Sequence, residues 1–157
     1  MGNIKLKIAS SAPVEDIFGT SRMVYEMVEH LPNIKEIHVM EVADEGKYTK
    51  AEWVLDIKLP VPHGKLAWLQ EIRWDEAEKE CRFGISPDNK GIVKRFDGTL
   101  LFRPGKKGSE MIMDIFFQVE HPLVTPMVQG IFDGIMKRNN ESLLLAIKKK
   151  TEERLVE

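Results

Sequence analysis

The sequence predicts an α+β domain in which a curved antiparallel sheet of seven strands closes around one long C-terminal helix. Two observations carry that prediction. After an opening strand and a short helical stretch, six alternating segments follow one another with only short, turn-rich gaps, and one long amphipathic stripe then ends the chain. Short gaps are hairpin loops, so neighbouring strands run antiparallel. A sheet with one apolar face needs a cover, and the last helix is the one apolar stripe long enough to supply it.

The first strand is read over Asn3 to Ala9, where Ile4, Leu6 and Ile8 alternate with Lys5 and Lys7. Ser11-Ala12-Pro13 opens a helix, with Pro13 in its first turn and Glu15 and Asp16 near its positive end. Ile17, Phe18, Met23, Val24 and Met27 continue it, and Leu31-Pro32 breaks it, because a proline disfavours helix at the residue before it. Two short helices after strand one are therefore expected. Strands follow over Ile37–Val42, Lys47–Leu59, Lys65–Asp75, Glu80–Ile85, Ile92–Arg103 and Ser109–Glu120. The breaks between them are Asp44-Glu45-Gly46, Pro60 to Gly64, Asp75 to Lys79, Ser86 to Gly91 and Pro104 to Gly108.

Parity says which side chains share a face. Trp53, Leu55, Ile57 and Leu59 align on the third strand, and Leu66, Trp68, Gln70, Ile72 and Trp74 on the fourth. On the seventh, Met111, Met113, Ile115, Phe117 and Val119 oppose Glu110, Asp114, Gln118 and Glu120. The final helix starts at Thr125-Pro126, an N-cap oxygen followed by a residue whose missing N–H would have been unpaired anyway. Val128, Ile131, Phe132, Ile135, Asn139, Leu143, Ala146 and Ile147 recur at three- and four-residue spacing as its inner stripe. Run to about Leu155, it spans roughly 45 Å, enough to cross a small domain. Gly130 and Gly134 lie inside it at a cost of roughly 1 kcal/mol each relative to alanine. Close approach to the sheet, a bend over a cavity, or tolerance would each account for them.

Composition narrows the function. At 157 residues, 43% apolar and 31% charged, residues 1–157 match one globular domain. A net charge of −2 with both signs interspersed lacks the basic footprint of a DNA or RNA binder. The single cysteine, Cys81, excludes an internal disulfide and a cysteine-rich metal site. There is no apolar run of transmembrane length and no signal-peptide core, so a cytoplasmic location is expected.

Taken together, the opening strand running into Ser11-Ala12-Pro13-Val14-Glu15-Asp16-Ile17-Phe18, the Leu31-Pro32 break, Phe96-Asp97-Gly98-Thr99-Leu100-Leu101-Phe102 and the long terminal helix resemble the START-like superfamily. That group takes in polyketide cyclase/dehydrase and coenzyme-Q-binding proteins, and its helix-grip fold is related in shape to the birch-pollen allergen. The resemblance implies a cavity for an apolar ligand between sheet and helix. Lipid carriers, aromatase/cyclases and hormone receptors belong to the group, as do bacterial proteins named ribosome-association toxins.

Catalytic patterns are sparse. His30, His38, His63 and His121 show no metal-binding spacing, and no GxSxG, P-loop or GxGxxG is present, so no cofactor or metal is expected. Cys81 lacks a neighbouring base and reads as a small buried residue. Glu41 shares parity with Ile37 and Val39 and would be an inward acid, or else a strand-end group near solvent. The residues expected to line a cavity are Trp53 and Leu55 on the third strand, and Trp68, Gln70 and Ile72 on the fourth. Phe83 belongs to the fifth, Leu100 and Phe102 to the sixth, and Met113, Ile115 and Phe117 to the seventh. Val128, Ile131, Phe132, Ile135 and Asn139 come from the helix. Trp68 and Ile135 are placed on opposite walls. Aromatic and methionine stripes are ordinarily core, so the cavity rests on architecture and resemblance. Three functions remain: a carrier of a lipid, quinone or polycyclic molecule; a cyclase/dehydrase in which Glu41, Gln70 or Asn139 acts on a carbonyl; and a protein-interaction module of the ribosome-association kind.

Overall fold

The computed structural model describes residues 2–23, 25, 31, 34–56, 65–122 and 124–156. In chain order the elements are β1 (Gly2–Ser10), α1 (Val14–Ser21), β2 (Ile34–Ala43), β3 (Tyr48–Asp56), β4 (Lys65–Asp75), β5 (Glu80–Ile85), β6 (Val93–Pro104), β7 (Ser109–Val119) and α2 (Pro126–Leu155). The strands form one antiparallel sheet in the order β1-β7-β6-β5-β4-β3-β2, wrapped about α2 as a helix-grip fold. The second short helix expected after strand one, and the stretch Ile57 to Gly64, lie outside the described residues.

Each hairpin hands the chain to its neighbour, with one exception. β1, first in sequence, pairs with β7, the last strand: Gly2 lies opposite Phe117 and Ser10 opposite Ser109. β1 and β2 are thus the two edges. Pairing lines the inward side chains up in rows across the sheet. Leu6, Met113, Leu100, Cys81 and Trp74 make one row, and Ile4, Ile115, Gly98, Phe83 and Ile72 the next. All are buried except the half-buried Phe83 and the glycine. At Gly98 a Cβ would collide with the Asp114 carbonyl oxygen of β7, so the two strands meet there more closely than any side chain allows.

The end of β2 decides between the two readings of Glu41 in favour of the strand-end group near solvent. Pairing with β3 shifts register between Ile34 and Glu36 and again between Val39 and Glu41, where an extra residue re-aims the strand. Parity counted straight through these bulges puts Glu41 inward, whereas Glu41 is exposed, as are Val39, Met40 and Val42.

Helix α2 begins as its sequence dictates, with Thr125 Oγ1 accepting from Val128 N at 3.3 Å and Pro126 in the first turn. Its buried residues are Val128, Phe132, Ile135, Met136, Asn139, Asn140, Leu143, Leu144, Ile147 and Thr151. Ile131, predicted inward, is 44% exposed, because the stripe is centred one position round from it. A Cβ added at Gly130 would have nothing within 4 Å, and one at Gly134 would meet only the Arg138 side chain at 3.9 Å, so close approach explains neither. At its far end Glu152 Oε2 accepts from Ser10 Oγ at 2.8 Å and from the Ser11 amide at 3.1 Å, fastening the helix to the end of β1.

Candidate ligand cavity between the sheet and the C-terminal helix

The concave face of the sheet and the middle of α2 do not fill the space between them. A cavity of about 50 Å³ remains, walled by β3 to β7, by α2 from Met136 to Ile147, and by Ser21, Leu31 and Ile34. A water needs roughly 10–15 Å³ on this measure, so the cavity holds a few waters as it stands. A guest the size of benzene needs about 150 Å³, and the walls must move to admit one. Met113 and Met136 face the cavity, and unbranched thioethers re-pack at low cost.

Half of the predicted lining is brought together here: Trp53, Trp68, Gln70, Ile72, Phe83, Leu100, Met113 and Asn139. Leu55, Phe102, Ile115, Phe117, Val128, Phe132 and Ile135 are buried elsewhere in the core, and Ile131 reaches solvent. Ile135 therefore does not face Trp68 across the space; Met136, its neighbour in sequence, lines it instead. Several lining residues were not predicted. Trp74 has the parity of Trp68, and Leu143 and Ile147 belong to the helical stripe, so those three were within reach. Ser21, Leu31 and Ile34 carry no periodic signal that points to a cavity.

The wall is aromatic and ordered. The rings of Trp53 and Trp68, cross-strand partners on β3 and β4, are nearly parallel at 7° with centroids 6.2 Å apart. Trp68 in turn stacks on Phe96 at 5.0 Å, and Phe96 adjoins Phe83 at 5.7 Å. These spacings fall in the favourable range for offset aromatic pairs. The polar groups differ in how they are satisfied. Trp68 Nε1 donates to Gln70 Oε1 at 2.9 Å, Asn140 Nδ2 to the Met136 carbonyl at 2.8 Å, and Ser21 Oγ to the Phe18 carbonyl at 2.6 Å. Trp53 Nε1 is buried and meets no acceptor among the described residues.

Electrostatically the described lining is neutral. Among the described residues, no Asp, Glu, Lys, Arg or His lines it. The one titratable group among the described lining residues is the Cys81 thiol, which burial, with Glu80 nearby, pushes well above the usual thiol range. That thiol is a proton-bearing, unreactive group at neutral pH. Glu41 is outside the cavity. Of the histidines, His38 pairs with Glu36 at 3.2 Å on the surface, while His30 and His63 lie outside the described residues. Among the described residues no group of three metal-ligating side chains assembles, and no helix is long and apolar enough to cross a membrane.

No family model matches this chain, and no curated protein matches it in sequence. Solved structures match it in shape over almost its whole length. A Thermus thermophilus protein, TTHA0849, superposes with a TM-score of 0.79 at 22% identity, covering 98% of this chain and 99% of that one. The Zhui aromatase/cyclase from a Streptomyces species gives 0.76 at 13% identity, covering 98% and 95%. A START superfamily protein from Mycobacterium smegmatis gives 0.70 at 14% identity, covering 96% and 97%. At such identities the likeness is one of fold.

Proposed function

Starting from the helix-grip fold that this chain shares with START-like proteins, we propose that it binds a neutral, hydrophobic small molecule in the cavity between sheet and helix. A lipid, quinone or polycyclic compound is the class concerned. The observation that supports this reading is a buried, stacked aromatic wall facing unfilled space with no charged side chain among its described lining residues. A solid core would have filled that space, since interiors otherwise pack to crystal-like density. Native mass spectrometry of protein purified from cells, followed by exposure to quinones and fatty esters, tests it. Absence of any co-purifying or added ligand sinks the reading.

A cyclase/dehydrase activity is the second reading, favoured by the amides of Gln70 and Asn139 on the cavity wall, which suit a ligand carbonyl. Such an enzyme must also move a proton, and the described lining offers only a thiol held protonated by burial. Binding without turnover is therefore the better reading. An interaction with ribosomes or another protein would use the surface, where β2 exposes Val39, Met40 and Val42; co-sedimentation at low salt tests that one.

A further inference from the structure

Two indoles stand side by side on the cavity wall, and they are not equivalent. Trp68 is 2% exposed and gives its N–H to Gln70 Oε1. Trp53 is 7% exposed, lines the same space, and its Nε1–H has no acceptor among the described residues. A buried donor left unmade carries a free-energy penalty that native proteins avoid, so one that persists beside a cavity points to an absent partner. Gln70 sharpens this. Its carbonyl oxygen already accepts from Trp68, and its amide also carries an NH2 group, a second donor on a residue that lines the cavity. A cation to neutralise a carboxylate is missing from the described lining, so the partner is a neutral acceptor.

We infer that Trp53 is a specificity-determining residue: its indole N–H donates to a ketone or quinone oxygen on a flat ring system that packs along the Trp53–Trp68–Phe96 wall. This rests on the cavity being a ligand site and adds the chemical class of the guest. A site built around a donor rejects the analogue lacking the acceptor far more strongly than it rejects a small change of shape. Saturated hydrocarbon and plain arene ligands are accordingly poor guests, because they leave the indole N–H unmade.

The test uses a matched pair, 1-indanone and indane, which share rings and size and differ in one carbonyl oxygen. Calorimetric titration of the whole protein should show 1-indanone binding about tenfold more tightly, the factor that one buried hydrogen bond gives. Trp53→Phe keeps an aromatic ring, removes the N–H and should bring the two affinities together. If that variant fails to fold, the parent protein still decides the matter. Of its three tryptophan indole 1H–15N signals, that of Trp53 should move downfield with 1-indanone and stay in place with indane. Equal affinities in the parent protein, discrimination retained in Trp53→Phe, or an unmoved Trp53 signal overturns the assignment while leaving the cavity as a ligand site. Binding of neither compound, nor of any quinone or ester, removes the ligand-site reading itself, and the Trp53 assignment with it.

Discussion

Gly98 shows at the scale of one residue how this sheet achieves its curvature. It sits in a row of large inward side chains, between Phe83 and Ile115, where the backbone of β7 comes too near for a Cβ. Gly98→Ala should cost at least about 2–3 kcal/mol, since the obstacle is a backbone carbonyl and not the movable tip of a side chain. Urea unfolding measures it; a loss below about 1 kcal/mol would show that β6 and β7 separate freely there. Met136 and Ile135 make a paired test of the cavity. Met136 faces it and Ile135 does not, so Met136→Phe should weaken 1-indanone binding with little change in Tm. Ile135→Trp should overpack the core at about 1–3 kcal/mol. At this scale the sequence was readable by parity: the aromatic pair Trp53–Trp68 and the inward Gln70 follow from alternation alone. Which inward residues border space and which are solid core was not readable, because that depends on where the curved sheet and the helix diverge, a property of neither pattern by itself.

Elements repeat the lesson. Helix α2 was legible to its cap, because Thr125-Pro126 is a local chemical signal, and every strand was found. At the end of β2 the strand-end, solvent-facing reading of Glu41 holds, and the inward one fails because period-two counting has no means of detecting an inserted bulge residue between Val39 and Glu41. Ile131 was misplaced because isoleucine on the helical flank looks like isoleucine in the stripe. Gly130 is exposed with open space around it, so Gly130→Ala should stabilise α2 by about 0.5–1 kcal/mol, read as a rise in Tm. The far end of α2 depends on a charge. Burial alone would raise the Glu152 carboxyl, but the bonds from Ser10 and Ser11, with Lys148 nearby, hold it below the usual glutamate range. A carboxyl lowered by folding contributes stability above its unfolded value, about 4.3, and loses it as pH falls through the folded value. Glu152→Gln should therefore melt earlier than the parent at pH 7 and converge with it towards pH 3. A constant gap across that range would mean that the charge is not what fastens the helix.

For the molecule as a whole, neutrality of the described lining has a consequence for selection among ligands. Methyl benzoate and benzoate differ by a charge that the described lining cannot compensate, so the ester should bind and the anion should bind at least about tenfold more weakly at pH 7. Lowering the pH towards the acid's own pKa should restore binding of the protonated form. Comparable affinity for the anion at pH 7 would reveal a cation reaching the site.

The pairing of β1 with β7 also sets a timetable for a ribosome making this chain. Residues 2–10 are polymerised roughly a hundred residues before their hydrogen-bond partners, residues 109–119, and the helix that covers both follows later still. At about 5–20 residues per second the opening strand waits on the order of 5–20 s with Ile4, Leu6 and Ile8 unpaired. The fold cannot be completed progressively from β1; closure waits for β7 and α2 and joins segments distant in sequence, which makes it slow. Lys5 and Lys7, alternating with those three apolar residues, put charge on the other face of the strand, the kind of residue that discourages an unpaired edge from adding a foreign strand.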